Sequence, residues 1–442
     1  MLLKRKLFVP DVQHLLAYSA IGVLFVLALV LRVSLFHVET SDYTVFVSQW
    51  YDFIQSHGGF AALKYNFSNY NVPYLYLLAL TTYLPISKLI AIKTLSVVFD
   101  GVLGLFTYLI LSLRYKHSYA AIAGALVVVF APTIFINSAA WGQCDAIYTA
   151  FCLGSLYYLL KERPAWACVF FAFALSFKLQ AIFFLPILFM LLLKRKLPLK
   201  YLALIPLLFL LMLVPAYIAG RDAQSLLSIY AGQVTSSGVS GAGQFNGGGT
   251  GRFNERTPGQ SNSGGPGRFN GGARGQFNGG GFTDRSSSSL TSNAPSFYQW
   301  LPANAAEYWK WVGILLASAF VVLVGILLVA SKKRLTSDIL LKVTLVFALT
   351  IPFLLPDMHE RYFYLADVVS IIFAFYFPRY WYIAVITQLC SLLSYAPYLI
   401  HTQIVSLTYV AFAVLLLTIV TSVDLVRTLY PNTRKRVPDT FS

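Results

Sequence analysis

Polar and ionisable side chains that could carry out chemistry are concentrated in four short segments of an otherwise apolar chain. The segments are Ser41-Asp42-Tyr43, Trp141-Gly142-Gln143-Cys144-Asp145, Lys178 with Gln180, and Met358-His359-Glu360-Arg361-Tyr362. A carboxylate among cations suits group transfer to a hydroxyl, in which the carboxylate takes the hydroxyl proton. The cations would then stabilise the negative charge that develops on a leaving phosphate. We therefore expect these segments to meet at one site.

Asp42 is the candidate general base, and Lys178 and Arg361 are the candidate phosphate-binding cations. Each of these residues also has a purely structural interpretation. Asp42 can be a solvated loop residue, and Asp145 can cap the amino end of the helix that follows it. Lys178 can extend from a helix end to the lipid headgroups, and His359-Glu360-Arg361 can form an interfacial ion-pair cluster. The sequence alone leaves these alternatives open.

The composition identifies the environment of these segments. Hydrophobic residues make up 57% of the chain and charged residues 11%, and the mean hydropathy is +0.68. A soluble domain has roughly 25% charged residues, so this chain cannot cover itself with a water-compatible surface. The net charge of +16 does not indicate a nucleic-acid partner, because the basic residues lie in short clusters at the ends of apolar runs. The composition predicts an integral membrane protein.

The hydrophobic runs predict an all-α, polytopic protein with about twelve transmembrane helices. The spanning candidates are residues 15–36, 91–113, 118–138, 146–160, 165–178, 181–193, 199–218, 308–331, 338–354, 362–377, 380–398 and 403–424. Between the first two lies the apolar stretch 74–85, and a stretch of about a dozen residues is typical of an interfacial or re-entrant segment. We predict that this stretch does not cross the bilayer.

The distribution of Lys and Arg supports that topology. With residues 74–85 kept outside the membrane, 20 of the 33 basic residues fall on the side that the positive-inside rule assigns to the cytoplasm. Five of the other 13 lie in one long loop, which the rule does not count. If the stretch crossed, only the three amino-terminal charges would remain correctly placed. We predict cytoplasmic amino and carboxyl termini in a multi-pass protein of the cell membrane, with the four polar segments on the extracytoplasmic side.

Two large outer segments divide the chain into modules. Residues 1–218 form an amino-terminal membrane module that includes the first outer loop, 37–90, with its interfacial helices. The second outer loop, 219–307, contains a Gly/Asn/Ser-rich insertion at 236–289 that repeats Gly-(Gln/Arg)-Phe-Asn. Such a tract buries too little apolar surface to order itself, so we predict disorder there. The rest of the chain comprises transmembrane helices at 308–426 and a cytoplasmic basic tail at 427–442.

Asp100 lies within the second predicted helix. An ionisable residue at that depth in a membrane is costly, which marks it as a functional candidate. Hydrogen bonding to a neighbouring helix explains it equally well.

The polar segments also carry a resemblance to a known family. The chain resembles glycosyltransferases of the GT-C fold, specifically the bacterial proteins similar to the second mannosyltransferase of GPI-anchor assembly. The matching stretches span residues 41 to 367. They are Ser41-Asp42-Tyr43 with Trp50-Tyr51-Asp52-Phe53, Tyr70-Asn71-Val72-Pro73-Tyr74-Leu75-Tyr76, Ile92-Lys93, Phe99-Asp100, Trp141-Gly142-Gln143-Cys144-Asp145, Phe177-Lys178-Leu179-Gln180, Asn293-Ala294-Pro295 and Met358-His359-Glu360-Arg361-Tyr362.

The resemblance implies a dolichyl- or polyprenyl-phosphate sugar donor, inversion at the anomeric carbon, and a catalytic aspartate in the first outer loop. Asp42 matches that aspartate, and Asp52, in the same loop, is the fallback. His359 joins Lys178 and Arg361 as a candidate for the donor phosphate. The residues assigned to substrate binding are Trp141, Gln143, Asp145, Gln180, Glu360, Asp52 and Asn293. The insertion at 236–289 departs from the family pattern, so the role of the second outer loop is not carried over.

The implied enzyme is a hexosyltransferase, with mannose as the expected sugar and an unidentified glycan, lipid or protein as acceptor. It is expected to use no cofactor and no metal. The main alternative is a membrane transporter or lipid flippase, which Asp100 and the prolines within membrane segments favour. No repeat relates the two halves of the chain, which argues against that alternative. A membrane scaffold is the third interpretation, and it leaves the clustering of Asp42, Lys178 and Arg361 unexplained.

Overall fold

The computed structural model of the chain describes residues 12–116, 119–236, 290–302, 305 and 307–431. Three features of the sequence lie outside these residues. They are the amino-terminal basic residues Lys4, Arg5 and Lys6, the predicted disordered insertion at 236–289 except its first residue, and the tail beyond residue 431.

The part of the chain that the structure describes is almost entirely helical. The α-helices before the insertion are α1 (Val12–Ser34), α2 (Ser48–Ser56), α3 (Val72–Thr81), α4 (Lys88–Arg114), α5 (Tyr119–Phe130), α6 (Pro132–Phe135), α7 (Asp145–Leu160), α8 (Pro164–Phe177), α9 (Leu185–Leu193), α10 (Leu199–Leu202), α11 (Leu204–Ile218) and α12 (Ala223–Ser236). The α-helices after it are α13 (Tyr308–Ala330), α14 (Ser337–Leu354), α15 (Tyr364–Tyr376), α16 (Trp381–Leu399) and α17 (Leu407–Leu429).

Seven of the described helices are long and apolar enough to cross a membrane. An eighth span results if α5 and the segment from α6 to Trp141, which meet at a bend of 46°, are taken as one. The remaining predicted spans coincide with shorter helices; α7, α8 and α15 have 16, 14 and 13 residues. At about 1.5 Å per residue these do not reach the ~30 Å thickness of the hydrocarbon core. The predicted helical, membrane-embedded class is confirmed, whereas length and composition give seven or eight spans instead of twelve.

The first outer segment folds into short helices against the bundle. The π-helix Tyr43–Val47 leads into α2, and the 3₁₀-helix Gly59–Lys64 precedes α3. The predicted non-spanning stretch 74–85 overlaps α3, which has 10 residues and therefore a length of about 15 Å. The Asn71 side chain caps the amino end of α3 and donates a second hydrogen bond to the Ser176 carbonyl of α8. The cap residue thus also ties the start of this short helix to α8.

The α7 helix is the centre of the amino-terminal half, and most of its residues are buried between α4 and α8. Close packing against α8 depends on Gly154, because a Cβ atom there would lie 2.1 Å from the Phe170 ring. Asp145 is the first residue of α7, so the packing of this helix fixes its position.

A buried ion pair connects α1 and α4 inside the bundle. Arg32 Nε donates to Asp100 Oδ2 at 2.8 Å, and Ser138 Oγ donates to the same oxygen at 2.5 Å. The Arg32 guanidinium also donates to the carbonyl oxygens of Ala28 and Val129. Interhelical pairing therefore accounts for Asp100, and it joins α1 and α4 to the π-helix Ile136–Trp141 that contains Ser138.

We expect Arg32→Met to lower the free energy of unfolding by about 3–5 kcal/mol, because it leaves the Asp100 carboxylate buried without its cation. The double variant R32M/D100L should recover most of that loss. Chemical denaturation in detergent measures both. Arg334→Met, at an exposed position, is the control and should change stability by about 0.5 kcal/mol or less. Equal stability of R32M and the wild type would contradict the pairing.

A small parallel pairing joins the two parts of the chain that flank the long helices α13 and α14. Strand β1 (Thr291–Ser292) pairs with β2 (Met358–His359), and Asn293 forms an antiparallel bridge with His359. The segment that follows the insertion is thereby attached to the segment that carries Arg361.

Candidate functional site

Asp42 lies at the centre of a polar cluster built from four distant parts of the chain. Its Oδ2 atom accepts hydrogen bonds from Gln143 Nε2 at 2.6 Å and from Trp141 Nε1 at 3.1 Å. Arg361 Nη1 lies 3.4 Å from the same oxygen. Asp42 stands before the π-helix Tyr43–Val47 but makes no side-chain cap to it, so the carboxylate is directed into these tertiary contacts. Its side chain is 22% exposed, which leaves it accessible to a second molecule.

Tyr398, at the end of α16, holds the backbone of this aspartate. Its hydroxyl accepts a hydrogen bond from the Asp42 amide at 2.8 Å and lies 2.7 Å from Ser41 Oγ. The Tyr398 ring stacks on the Trp141 ring, with centroids 4.6 Å apart and an interplanar angle of 17°. The same tyrosine therefore orders two of the groups around the carboxylate.

Arg361 connects Asp42 to a second buried carboxylate. Its guanidinium lies 5.4 Å from the centre of the Trp141 ring, and its Nε atom lies 3.9 Å from Asp145 Oδ2. Glu360 Oε1 is 3.5 Å from Nη1 of the same arginine. The 3₁₀-helix Glu360–Phe363, which precedes α15, places the guanidinium between these three carboxylates.

Asp145 is fully buried and forms an ion pair with Lys178. Lys178 Nζ donates to Asp145 Oδ1, and Asn137 Nδ2 donates to Asp145 Oδ2 at 3.0 Å. The interpretation of Asp145 as a helix cap is wrong, because the cap position is Cys144 and the carboxylate binds side chains. The snorkelling interpretation of Lys178 is also wrong, since its side chain is 8% exposed and points to Asp145.

The cluster keeps both cations charged. Burial alone would lower the pKa of the Lys178 ammonium, but the Asp145 carboxylate outweighs it and holds that pKa above its usual value. Burial likewise opposes the charge of Arg361, and the Asp42 and Glu360 carboxylates hold the pKa of the guanidinium well above its usual range. Among the residues of the cluster, three carboxylates lie against two cations. A phosphate that enters must therefore compete with carboxylates for Lys178 and Arg361.

The Trp141–Asp145 turn has the backbone that this arrangement needs. The π-helix Ile136–Trp141 ends at Gly142, which has φ +77°, and α7 begins three residues later. This left-handed conformation directs Trp141 and Gln143 toward Asp42, and Asp145 toward Lys178. A side chain at Gly142 is strained there, since L-residues disfavour positive φ.

We expect Gly142→Ala to destabilise the protein by about 1–2 kcal/mol and to lower any activity of the site, because the turn would shift both Trp141 and Gln143. Thermal unfolding and an activity assay measure the two effects. Gly101→Ala is the control: a Cβ there meets no atom within 4 Å, and alanine favours its helix by up to about 1 kcal/mol. Equal behaviour of the two variants would contradict the role of the turn.

Four of the predicted residues do not belong to the contacts described above: Asp52, Gln180, Asn293 and His359. Asp52 is 55% exposed and pairs with Lys88 at 2.7 Å, and no hydrogen bond or ion pair joins it to Asp42 within the described residues. Asn293, with φ +56°, takes part in the bridge to His359. The structure thus brings together Asp42, Trp141, Gln143, Asp145, Lys178, Glu360 and Arg361, while Asp52 is separate.

Neither a scan against protein-family models nor a search of curated proteins finds a match for this chain.

Several buried polar atoms around the cluster have no hydrogen-bond partner among the described residues. They include the hydroxyl groups of Tyr148, Tyr364 and Tyr395. Three more belong to the candidate residues and to Asn137: the donor Arg361 Nε and the acceptors Asn137 Oδ1 and Gln180 Oε1. A buried polar group without a partner costs roughly 1–3 kcal/mol, so such groups call for a ligand or water. The last three atoms offer one donor for an anionic oxygen and two acceptors for hydroxyl groups.

Sequence reasoning missed several residues that hold the site. Lys93 Nζ donates to the carbonyl oxygens of Leu35, Phe36 and Val38 at 3.1, 3.1 and 2.5 Å, which orders the turn that leads to Asp42. The resemblance includes Lys93 but gives it no role. Tyr398 lies more than 350 residues from Asp42 in sequence, and no local pattern marks it.

Within the described residues, no group of three or more His, Cys, Asp or Glu side chains could hold a metal ion.

Proposed function

We propose that the chain is an inverting glycosyltransferase of the GT-C type that moves a hexose from a polyprenyl-phosphate donor to an acceptor hydroxyl. The observation that carries this proposal is the partly exposed Asp42 carboxylate, held by Gln143, Trp141 and Arg361 beside the buried Asp145–Lys178 pair. This is a base with a fixed orientation next to cations. Mannose is the sugar that the resemblance favours.

In the proposed step, Asp42 takes the proton of the acceptor hydroxyl. The hydroxyl oxygen forms a bond to the anomeric carbon of the donor, on the face opposite the phosphate. The bond between that carbon and the phosphate oxygen breaks, and polyprenyl phosphate leaves with the electron pair. Asp42 ends the step as a neutral carboxylic acid, and the gain of negative charge is on the phosphate. The step thus needs a base and a cation near each other.

The contact between Arg361 and Asp42 couples these two needs. In the resting site the Arg361 charge is balanced in part by the Asp42 carboxylate at 3.4 Å. When Asp42 accepts the proton, its carboxyl group becomes neutral and no longer balances the Arg361 charge. At the same time the leaving phosphate becomes more negative. The guanidinium then interacts more strongly with the phosphate, and its Nε, which makes no hydrogen bond within the described residues, is a ready donor. Such an interaction is stronger in the transition state than in the ground state, as catalysis requires.

The unpartnered acceptors Asn137 Oδ1 and Gln180 Oε1 support a sugar as the ligand, because they accept from hydroxyl groups. Lys178 lies two residues before Gln180 in sequence and supplies a second cation for the phosphate. We propose that this end of the bundle faces the extracytoplasmic side, in agreement with the distribution of Lys and Arg. The helices too short to span would then belong to a GT-C arrangement of about twelve segments.

A transporter or lipid flippase is the second candidate. The bend of 46° between α5 and the segment that follows it, and the Arg32–Asp100 pair, favour it, because transporters use broken helices and paired charges within the membrane. Arg32 also donates to two carbonyl oxygens and Ser138 donates to Asp100 Oδ2, however, and these are the contacts of a structural element.

An assay with purified protein in detergent separates the two functions. Radiolabelled mannosyl-phosphoryl polyprenol is incubated with the protein and with a cell-envelope lipid and glycan extract as acceptor. Appearance of the label in a product resistant to mild acid, with release of polyprenyl phosphate, supports the transferase. Movement of intact donor across proteoliposomes without its consumption would support a flippase and contradict the transferase.

A further inference from the structure

A cavity lies between α17 and the turn that precedes α16. Its volume is about 340 Å³. The residues that line it are Arg379, Tyr380, Tyr382, Ile419, Val420, Val423, Asp424 and Arg427. None of these residues contacts the cluster around Asp42 through a hydrogen bond or ion pair within the described residues.

The α16 helix shows that this cavity is at the other end of the bundle. Tyr398, near the carboxyl end of α16, contacts Asp42, whereas Arg379 lies just before its amino end. The helix has 19 residues and therefore a length of about 28 Å. The cavity and the candidate site are thus separated by nearly the thickness of a bilayer hydrocarbon core.

The cavity carries positive charge. Arg379 and Arg427 are exposed, and neither guanidinium forms an ion pair with any residue that the structure describes. The one carboxylate at the cavity, Asp424, is already neutralised, since Lys342 Nζ lies 2.6 Å from its Oδ2 atom and Tyr380 donates to its Oδ1 atom at 2.7 Å. Two guanidinium groups therefore remain without a counter-ion in the part of the chain that the structure describes.

The other wall of the cavity is apolar and continues onto the outer surface of α17. Ile419, Val420 and Val423 are all exposed large hydrophobic residues of this helix. An inorganic anion makes no favourable contact with an apolar wall. A lipid, in contrast, places its acyl chains along such a wall and its headgroup at the arginines. We propose that the cavity binds an anionic phospholipid, with the phosphate between Arg379 and Arg427.

Thermal unfolding in dodecyl maltoside micelles tests this proposal. We titrate phosphatidylglycerol, phosphatidylcholine or inorganic phosphate into the wild type and into R379Q/R427Q. Phosphatidylglycerol should raise the Tm of the wild type in a saturable way, and the other two additives should not. In R379Q/R427Q the half-saturating phosphatidylglycerol concentration should rise roughly thirty-fold. This value follows from the usual contribution of each cation near an anionic lipid and from a change in affinity of about tenfold per 1.4 kcal/mol.

The variant R163Q/R334Q is the matched control. It removes two exposed arginines from the same end of the bundle, since Arg163 follows α7 and Arg334 precedes α14, outside the cavity. It should bind phosphatidylglycerol like the wild type. If R379Q/R427Q does not fold, R379Q and R427Q alone should each show part of the loss.

Three outcomes would overturn the proposal. One is an equal response of R379Q/R427Q and the wild type to phosphatidylglycerol. Another is an equal effect of phosphatidylcholine, which would make the binding independent of charge. The third is stabilisation by inorganic phosphate alone, which would make the cavity a site for a free anion. The test is independent of sugar transfer, so it stands or fails separately from the proposed function.

Discussion

Asp42→Asn should lower sugar transfer by about a hundred- to ten-thousand-fold, the usual contribution of a general base, while the protein stays folded. Asparagine has nearly the same shape and its carbonyl oxygen can still accept from Gln143 or Trp141, so the local packing is kept. What it cannot do is take a proton from the acceptor hydroxyl. Turnover of a labelled polyprenyl-phosphate sugar by purified protein measures the effect, and thermal unfolding confirms folding.

Asp52→Asn is the matched control, because it makes the same chemical change in the same outer segment. Asp52 pairs with Lys88 at an exposed position, and such a pair contributes about 0–1 kcal/mol. D52N should therefore retain transfer and stability. Substantial turnover in D42N would contradict the assignment of Asp42 as the base. Loss of turnover in D52N with retention in D42N would move the role to the other aspartate.

Asp145→Asn should produce the largest loss of stability in the polar cluster. It leaves the Lys178 ammonium buried without its anion, and removing one partner of a buried pair costs about 3–5 kcal/mol. The double variant D145N/K178M removes both charges, so it should regain most of that stability. Asn137 can still donate to the asparagine carbonyl in either variant. Denaturation in detergent measures the three proteins together.

The transfer activity of these variants then distinguishes a structural role of Lys178 from a catalytic one. If Lys178 stabilises the leaving phosphate, D145N/K178M should be stable and yet severely impaired in sugar transfer. A stable double variant with full turnover would show that Lys178 only balances Asp145. A D145N variant as stable as the wild type would show that breaking the Asp145–Lys178 pair does not cost the stability expected for a buried ion pair.

Much of the fold follows from local properties of the sequence. Apolar runs determine where helices form, and the structure has a helix at each of the twelve predicted positions. Membrane crossing was less predictable: 146–160 and 165–178 are apolar and form helices of about the predicted length, α7 and α8, but these are short for a span and largely covered by protein. Burial against other helices satisfies an apolar face as well as lipid does, so hydropathy alone cannot distinguish the two environments.

The candidate site was predictable in its members but not in its connections. Residue types and clustering pointed to Asp42, Asp145, Lys178 and Arg361, and the structure joins all four. The sequence did not indicate that Arg361 lies between two carboxylates. Such pairing is set by tertiary packing, as are the contacts of Tyr398 and Arg32. No periodicity or spacing records which distant side chains meet.

The short length of α8 would bear on a lipid bilayer around this part of the protein. Trp166, Ile182 and Phe189, on α8 and the segment through α9, present exposed apolar surface. With 14 residues, α8 covers only about 21 Å of a hydrocarbon layer that is ordinarily ~30 Å thick. A bilayer relieves this hydrophobic mismatch by thinning, at a fraction of a kcal/mol per Å. Lys178 lies at the turn where α8 ends, so a thinned bilayer would bring the headgroup layer closer to this turn. Where the bilayer is thinned in this way, the phosphate of a lipid would lie closer to the middle of the membrane.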